Sequence, residues 1–100
     1  MASTMSPYAG ETDLAAMQDL LLTAPNPFEP YPTAADLPEM LNPIISDTPA
    51  NTVVWQEAGG QLVGFAIVSQ YNNLRFHFRP GSLTTDVEQE MMAWAMARMR

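Results

Sequence analysis

Ionisable and nucleophilic side chains are few in this chain, and their types narrow the chemistry at once. There is no cysteine and a single histidine, His77. Disulfides, thiolate metal sites and a cysteine nucleophile are excluded, and one histidine cannot build a histidine-based zinc centre within one chain. A general base needs a carboxylate or histidine whose pKa lies near neutrality. The best-placed carboxylates are Glu57, at a strand end, and Glu39, on a short helix; both read as solvated surface residues. Ser69 or Ser82 with His77 would begin a Ser-His-Asp arrangement, but no G-x-S-x-G context surrounds either serine. Asp36, Asp47 and the acidic last helix lack the spacing of an oxygen-rich calcium loop. Arg75 and Arg79, on one face of a strand, form the positive patch, to hold an anion or balance nearby carboxylates. No residue is assigned a catalytic role.

Charge excludes further classes. Eleven Asp and Glu stand against four Arg, with no Lys, giving a net charge of -7 and a pI near 4.2. Nucleic-acid backbones and anionic lipid surfaces need clustered basic residues, so neither is an expected partner. No apolar run approaches the roughly 18 residues needed to span a bilayer. MASTMSPYAG has neither a basic n-region nor an apolar h-region, so a cytoplasmic location is expected.

The elements that would position these side chains follow from periodicity. One hundred residues make one domain, 1–100, able to bury roughly two-thirds of its unfolded surface. Residues 1–4 read as a disordered end, and Met5 to Tyr8 as a short edge strand, because Pro7 confines it to an edge. Thr12 reads as the N-cap of a first helix with Asp13 near its dipole. Leu14, Met17, Leu20 and Leu21 share one face, and Pro25 and Pro27 stop the helix near Thr23. Residues 24–32, APNPFEPYP, form a proline-rich connection. Thr33 to Asp36 reads as a capping box for a helix running to about Leu41.

From Thr52 the period becomes two. TVVWQE is a strand, Gly59-Gly60 a hairpin turn, and QLVGFAIVS a central strand apolar on both faces. QYNN is a second turn. LRFHFR is a third strand, with Leu74, Phe76 and Phe78 opposite Arg75, His77 and Arg79, which leaves His77 on a polar, at most partly covered face. Gly64 marks a bulge or a close approach by another element. A second capping box, Thr85 as N-cap with Glu88 at N3, opens a helix whose apolar stripe is Val87, Met91, Trp94, Ala95 and Met99. Four of eight methionines lie in the last ten residues, as core or a soft interface. The expected fold class is α+β: an antiparallel meander of three to four strands with three helices, in the order β-α-α-β-β-β-α.

This order resembles the GNAT acyltransferases. SPYAGETDLAAMQDLL is similar to that family's opening strand and first helix. NTVVWQEAGGQLVGFAIVSQYNN, with Leu62-Val63-Gly64 in a G-x-L-V-G hairpin arm, resembles its second and third strands, and LRFHFRP its fourth. The likeness spans nearly all of this chain but only the first half to two-thirds of the family's domain. It implies acetyl-CoA for a full-length protein and acetyl transfer to an amine. In the family the loop after the fourth strand, R/Q-x-x-G-x-G/A, holds the acyl-CoA pyrophosphate on backbone N–H groups at a helix start, where bare glycines allow close approach.

Here that loop departs from the pattern. Aligned on Pro80 and Met91-Met92, Leu83 falls near the family's Arg/Gln, and Thr84, Asp86 and Glu88 fall on its glycine positions. Asp86, Glu88 and Glu90 would oppose a phosphate; two unit charges 4 Å apart cost about 4 kcal/mol at an effective dielectric near 20. The acids suit the helix N-terminus as caps and dipole partners. The resemblance therefore implies a degenerate N-terminal half without bound cofactor, whose partner is a C-terminal catalytic half or a second copy joined through the edge of strand 74–79. The other reading is a non-enzymatic binding or dimerisation module; a sensor of this content would need an apolar ligand cavity.

Overall fold

Glycines and polar caps set where each element begins in the computed structural model, which describes residues 3–23, 34–42, 48–68 and 74–98. Strand β1 (Thr4–Pro7) leads to helix α1 (Glu11–Thr23) and the one-turn helix α2 (Leu37–Met40). A 3-10 turn at Thr48–Asn51 enters β2 (Thr52–Gln56), followed by β3 (Leu62–Val68), β4 (Leu74–Phe78) and helix α3 (Thr85–Arg98). The class is α+β, in the expected order. The proline-rich connection 24–32, Thr33, Asp47, Ser69, the QYNN turn and Met99 lie outside the described residues.

The four strands form one antiparallel sheet in sequence order, β1-β2-β3-β4. Every residue of β3 is buried, which accounts for its apolar character on both sides. Helix α1 presents Met17 and Leu20 to one face, where they meet Val54, Phe65, Ile67 and, from α2, Leu37. Helix α3 presents Val87 and Met91 to the other, against Val53, Trp55, Val63 and Ala66. Full burial of a side chain of this size contributes about 1.5–3 kcal/mol, so two clusters sandwiching one sheet hold the fold.

Several boundaries differ from the sequence reading, each for a local reason. Strand β1 takes in Thr4, inside the stretch read as a disordered end. The first helix is capped at Gly10, not Thr12: Gly10 takes a φ of 122° and its carbonyl accepts from Leu14 N–H at 3.0 Å. Asp13 Oδ2 then accepts from Ala9 N–H at 2.8 Å, so that carboxylate ties the entering chain to the first turn. Asp36 is the N-cap of α2, with no side-chain cap bond, three residues after Thr33, which opened the expected box and lies outside the described residues; Pro38 beside Asp36 suits a first turn. The α3 box is shifted by one residue: Thr84, not Thr85, is the cap, its Oγ1 accepting from Val87 N–H at 3.3 Å and its carbonyl from Glu88 N–H at 2.8 Å.

The β2–β3 hairpin turns over three residues rather than two. Gly60 N–H donates to the Glu57 carbonyl, Glu57 N–H to the Gln61 carbonyl, and Gly60 has a φ of 86°, the left-handed position of such loops. Beyond it the register slips: Gln56 pairs with Leu62 but Trp55 with Gly64. The extra residue is Val63, and this bulge turns Val63 toward α3 and Leu62 toward α1, against strict alternation from Phe65. Gly64 is also a close approach. Phe78, its partner across the ladder, lays its ring over the bare Gly64 backbone and packs on Trp55 with centroids 5.1 Å apart.

Candidate functional site at the start of the last helix

The loop from Arg79 to Thr84 joins β4 to α3. Pro80 sets the first corner and Gly81, with a φ of 85°, the second; Ser82 N–H closes the turn on the Arg79 carbonyl at 2.9 Å. Proline followed by a left-handed glycine is the signature of a type II turn, and the Pro-Gly pair carried that signal in the sequence. The turn delivers Thr84 to its capping position and opens a cavity of about 580 Å³ beside the helix N-terminus.

The cavity wall combines hydroxyls with carboxylates: Ser82 and Thr84, with Glu57, Asp86 and Glu90. Of the four positions read as a degenerate phosphate loop, Thr84 and Asp86 line it. Leu83 packs against the core cluster under α3, and Glu88 is exposed, outside the lining. Glu90 has a structural partner, since Trp55 Nε1–H donates to its Oε1 at 2.8 Å. Trp55 is fully buried, so Glu90 satisfies a donor that would otherwise be orphaned. Glu57 arrives from the β2–β3 hairpin, with both β3 and β4 between it and α3 in the chain; no spacing rule links a hairpin turn to a helix this far on. Three carboxylates around a helix start oppose an anion there, and the Thr84 side chain already occupies the Val87 N–H.

The remaining candidates do not converge on this cavity. His77 is buried, 8% exposed, with its ring 6.3 Å from that of Phe65 on the α1 face of the sheet. The sequence placed it on a polar, at most partly covered face; the alternation was right, but His77 is buried there, on the side of the sheet where α1 packs on β2 and β3. Ser82 lines a cavity on the α3 side, so it forms no dyad with His77. Glu39 is exposed on α2. Arg79 donates its backbone N–H to the Val63 carbonyl at 2.8 Å, and its Nε is buried without a partner. Among the described residues no group of three or more His, Cys, Asp or Glu is arranged to hold a metal ion, and no helix is long and apolar enough to cross a membrane.

A second, smaller cavity of about 280 Å³ lies under the β1 end of α3, between Met5, Tyr8, Val53 and Trp94. The Arg98 guanidinium stands 5.3 Å over the Trp94 ring. Burial raises the Tyr8 phenol above its ordinary 10.0, and the charges of Asp13 and Glu11 push in the same direction.

No protein-family model, curated protein or solved structure matches this chain.

Proposed function

We propose that this chain is the N-terminal, GNAT-like portion of an N-acetyltransferase that moves an acetyl group from acetyl-CoA to an amine in the cytoplasm. In this reading it forms or braces the acceptor side and holds no CoA itself, while a C-terminal catalytic half supplies the cofactor site. The observation that carries the reading is the junction of β4 with α3. A strand of an antiparallel sheet runs through a short loop straight into a helix, the setting in which the family binds pyrophosphate. Here the helix start is closed by Thr84 and ringed by Glu57, Asp86 and Glu90, which disfavours phosphate. Catalysis in such a protein is positioning plus deprotonation of the amine, and no residue of this chain is assigned to either step.

Two measurements test it. Calorimetric titration of acetyl-CoA into the 100-residue chain at low salt is expected to give no heat up to about millimolar ligand; binding near micromolar overturns the lost-site assignment. The family assignment is tested by expressing the gene's entire product and following acetyl transfer to small amines. Absence of both turnover and acetyl-CoA binding there removes the acetyltransferase reading.

A second reading, a non-enzymatic pairing module, is favoured by one observation: β4 pairs with β3 alone among the described residues, and an unpaired strand edge is a template for another chain.

A further inference from the structure

We propose that the edge of β4 that no described strand pairs joins a second copy of this chain, antiparallel about Phe76. The inference deepens the second reading and stands apart from acetyl transfer. Arg79 N–H donates to the Val63 carbonyl. In an antiparallel ladder the bonded pairs alternate, so Arg75, His77 and Arg79 turn their backbone groups toward β3. Those of Leu74, Phe76 and Phe78 point to the open side.

The side chains of these three outward residues lie on the α3 face, and Phe76 is 42% exposed. On α3, Met91 and Ala95 are buried, while Glu90 leans toward β2 through Trp55 and Trp94 toward β1 and Met5. At 3.6 residues per turn, Met92 lies on the flank of α3 opposite Glu90 and Trp94; Met92 and Met96 are 41% and 68% exposed. Among the described residues, Phe76 on β4 and Met92 and Met96 on α3 are large apolar side chains left exposed.

The strand is self-complementary in one register. With a twofold axis at Phe76, Leu74 faces the second copy's Phe78 and Phe76 faces its own equivalent, so apolar groups meet throughout. Arg75 then stands across from the second copy's His77. A slide to either neighbouring register sets Arg75 against another Arg75 or against Arg79, and like charges directly across a ladder are unfavourable. Each copy carries a net charge of -7, so association is opposed at long range and strengthens as salt screens it.

Sedimentation velocity on the 100-residue chain, from about 1 µM to about 1 mM and from low to high salt, tests this. The expected result is a monomer–dimer equilibrium that tightens with salt. Phe76→Pro removes an outward N–H and no ladder bond to β3, a substitution edge strands tolerate. It is expected to weaken the dimer by at least about tenfold with an unchanged circular dichroism spectrum. If that variant does not fold, Phe76→Lys keeps the backbone and opposes two ammonium groups at the axis, with the same expected loss. A monomer throughout, a dimer unaffected by the folded variant, or association that weakens with salt overturns the proposal. Because none of these outcomes involves acetyl-CoA, failure here and failure of the acetyl-transfer reading are separately visible.

Discussion

Replacing Gly64 by alanine asks whether the Trp55–Gly64–Phe78 row is the tight point of the α3-side core. In most extended positions Gly→Ala stabilises by about 0.4–1 kcal/mol, because the unfolded chain loses freedom. Gly64 should do the reverse. A Cβ there would lie 2.6 Å from Phe78 Cγ and deep inside the contact distance of Phe78 Cδ2 and Cε2. The clash involves the root of the ring as well as its edge, so rotation alone does not relieve it. Moving the ring away breaks its packing on Trp55, now 5.1 Å between centroids, in a place where Trp55 has no exposed surface to yield. Overpacking of this kind costs about 1–3 kcal/mol; less the entropic gain, the net loss is about 1–2 kcal/mol. For a domain of this length that lowers Tm by on the order of 10 °C. The assay is thermal unfolding followed by circular dichroism, with Gly59→Ala as control, since nothing lies within 4 Å of a Cβ at Gly59. The double variant Gly64→Ala/Phe78→Leu should be less damaged than the sum of its parts by at least about 0.5 kcal/mol. A Gly64→Ala protein that melts at or above the wild-type temperature refutes the reasoning.

Two further expectations concern the polar groups around the same helix and strand. Glu90→Ala leaves the buried Trp55 Nε1–H without its acceptor and should cost about 1–3 kcal/mol, whereas Glu90→Gln keeps an acceptor and should cost less than half as much; urea midpoints of the two variants decide. The raised Tyr8 phenol makes stability fall in alkali: the contribution is complete below the unfolded value of 10.0 and is lost as pH rises through the higher folded value. Tyr8→Phe should flatten that alkaline decline in urea midpoint, and an equally steep decline in the variant would show that Tyr8 is not its source.

Much of the fold was legible because periodicity records which faces are buried. The two-residue alternation of LRFHFR, the two-sided apolar run of LVGFAIV and the Met17–Leu20 spacing each report a local geometry. Caps were less legible, and they missed by one to three residues. Ser, Thr and Asp at adjacent positions compete for the same N–H groups, and a glycine with positive φ, as at Gly10, can end the competition before any side chain acts. Around the start of α3, Asp86 was read in the first turn, where it lies, while Thr84 was read as a loop residue and is the cap. Glu57 was not read there, because its approach depends on a hairpin and a bulge rather than on distance along the chain.

His77 shows where local pattern stops. Its alternation with Phe76 and Phe78 was readable, and it named a second face without saying what would cover it. Composition alone excluded thiol and histidine-metal chemistry, and sequence alone placed the acids at 86, 88 and 90 in the opening turns of α3. Only tertiary structure joined Glu90 to Trp55, slid Val63 onto the α3 face, seated the Phe78 ring on Gly64 and left one side of β4 unpaired among the described residues. Each of these depends on which elements meet across the sheet, and that choice is made by packing two clusters at once, not by any stretch of sequence alone.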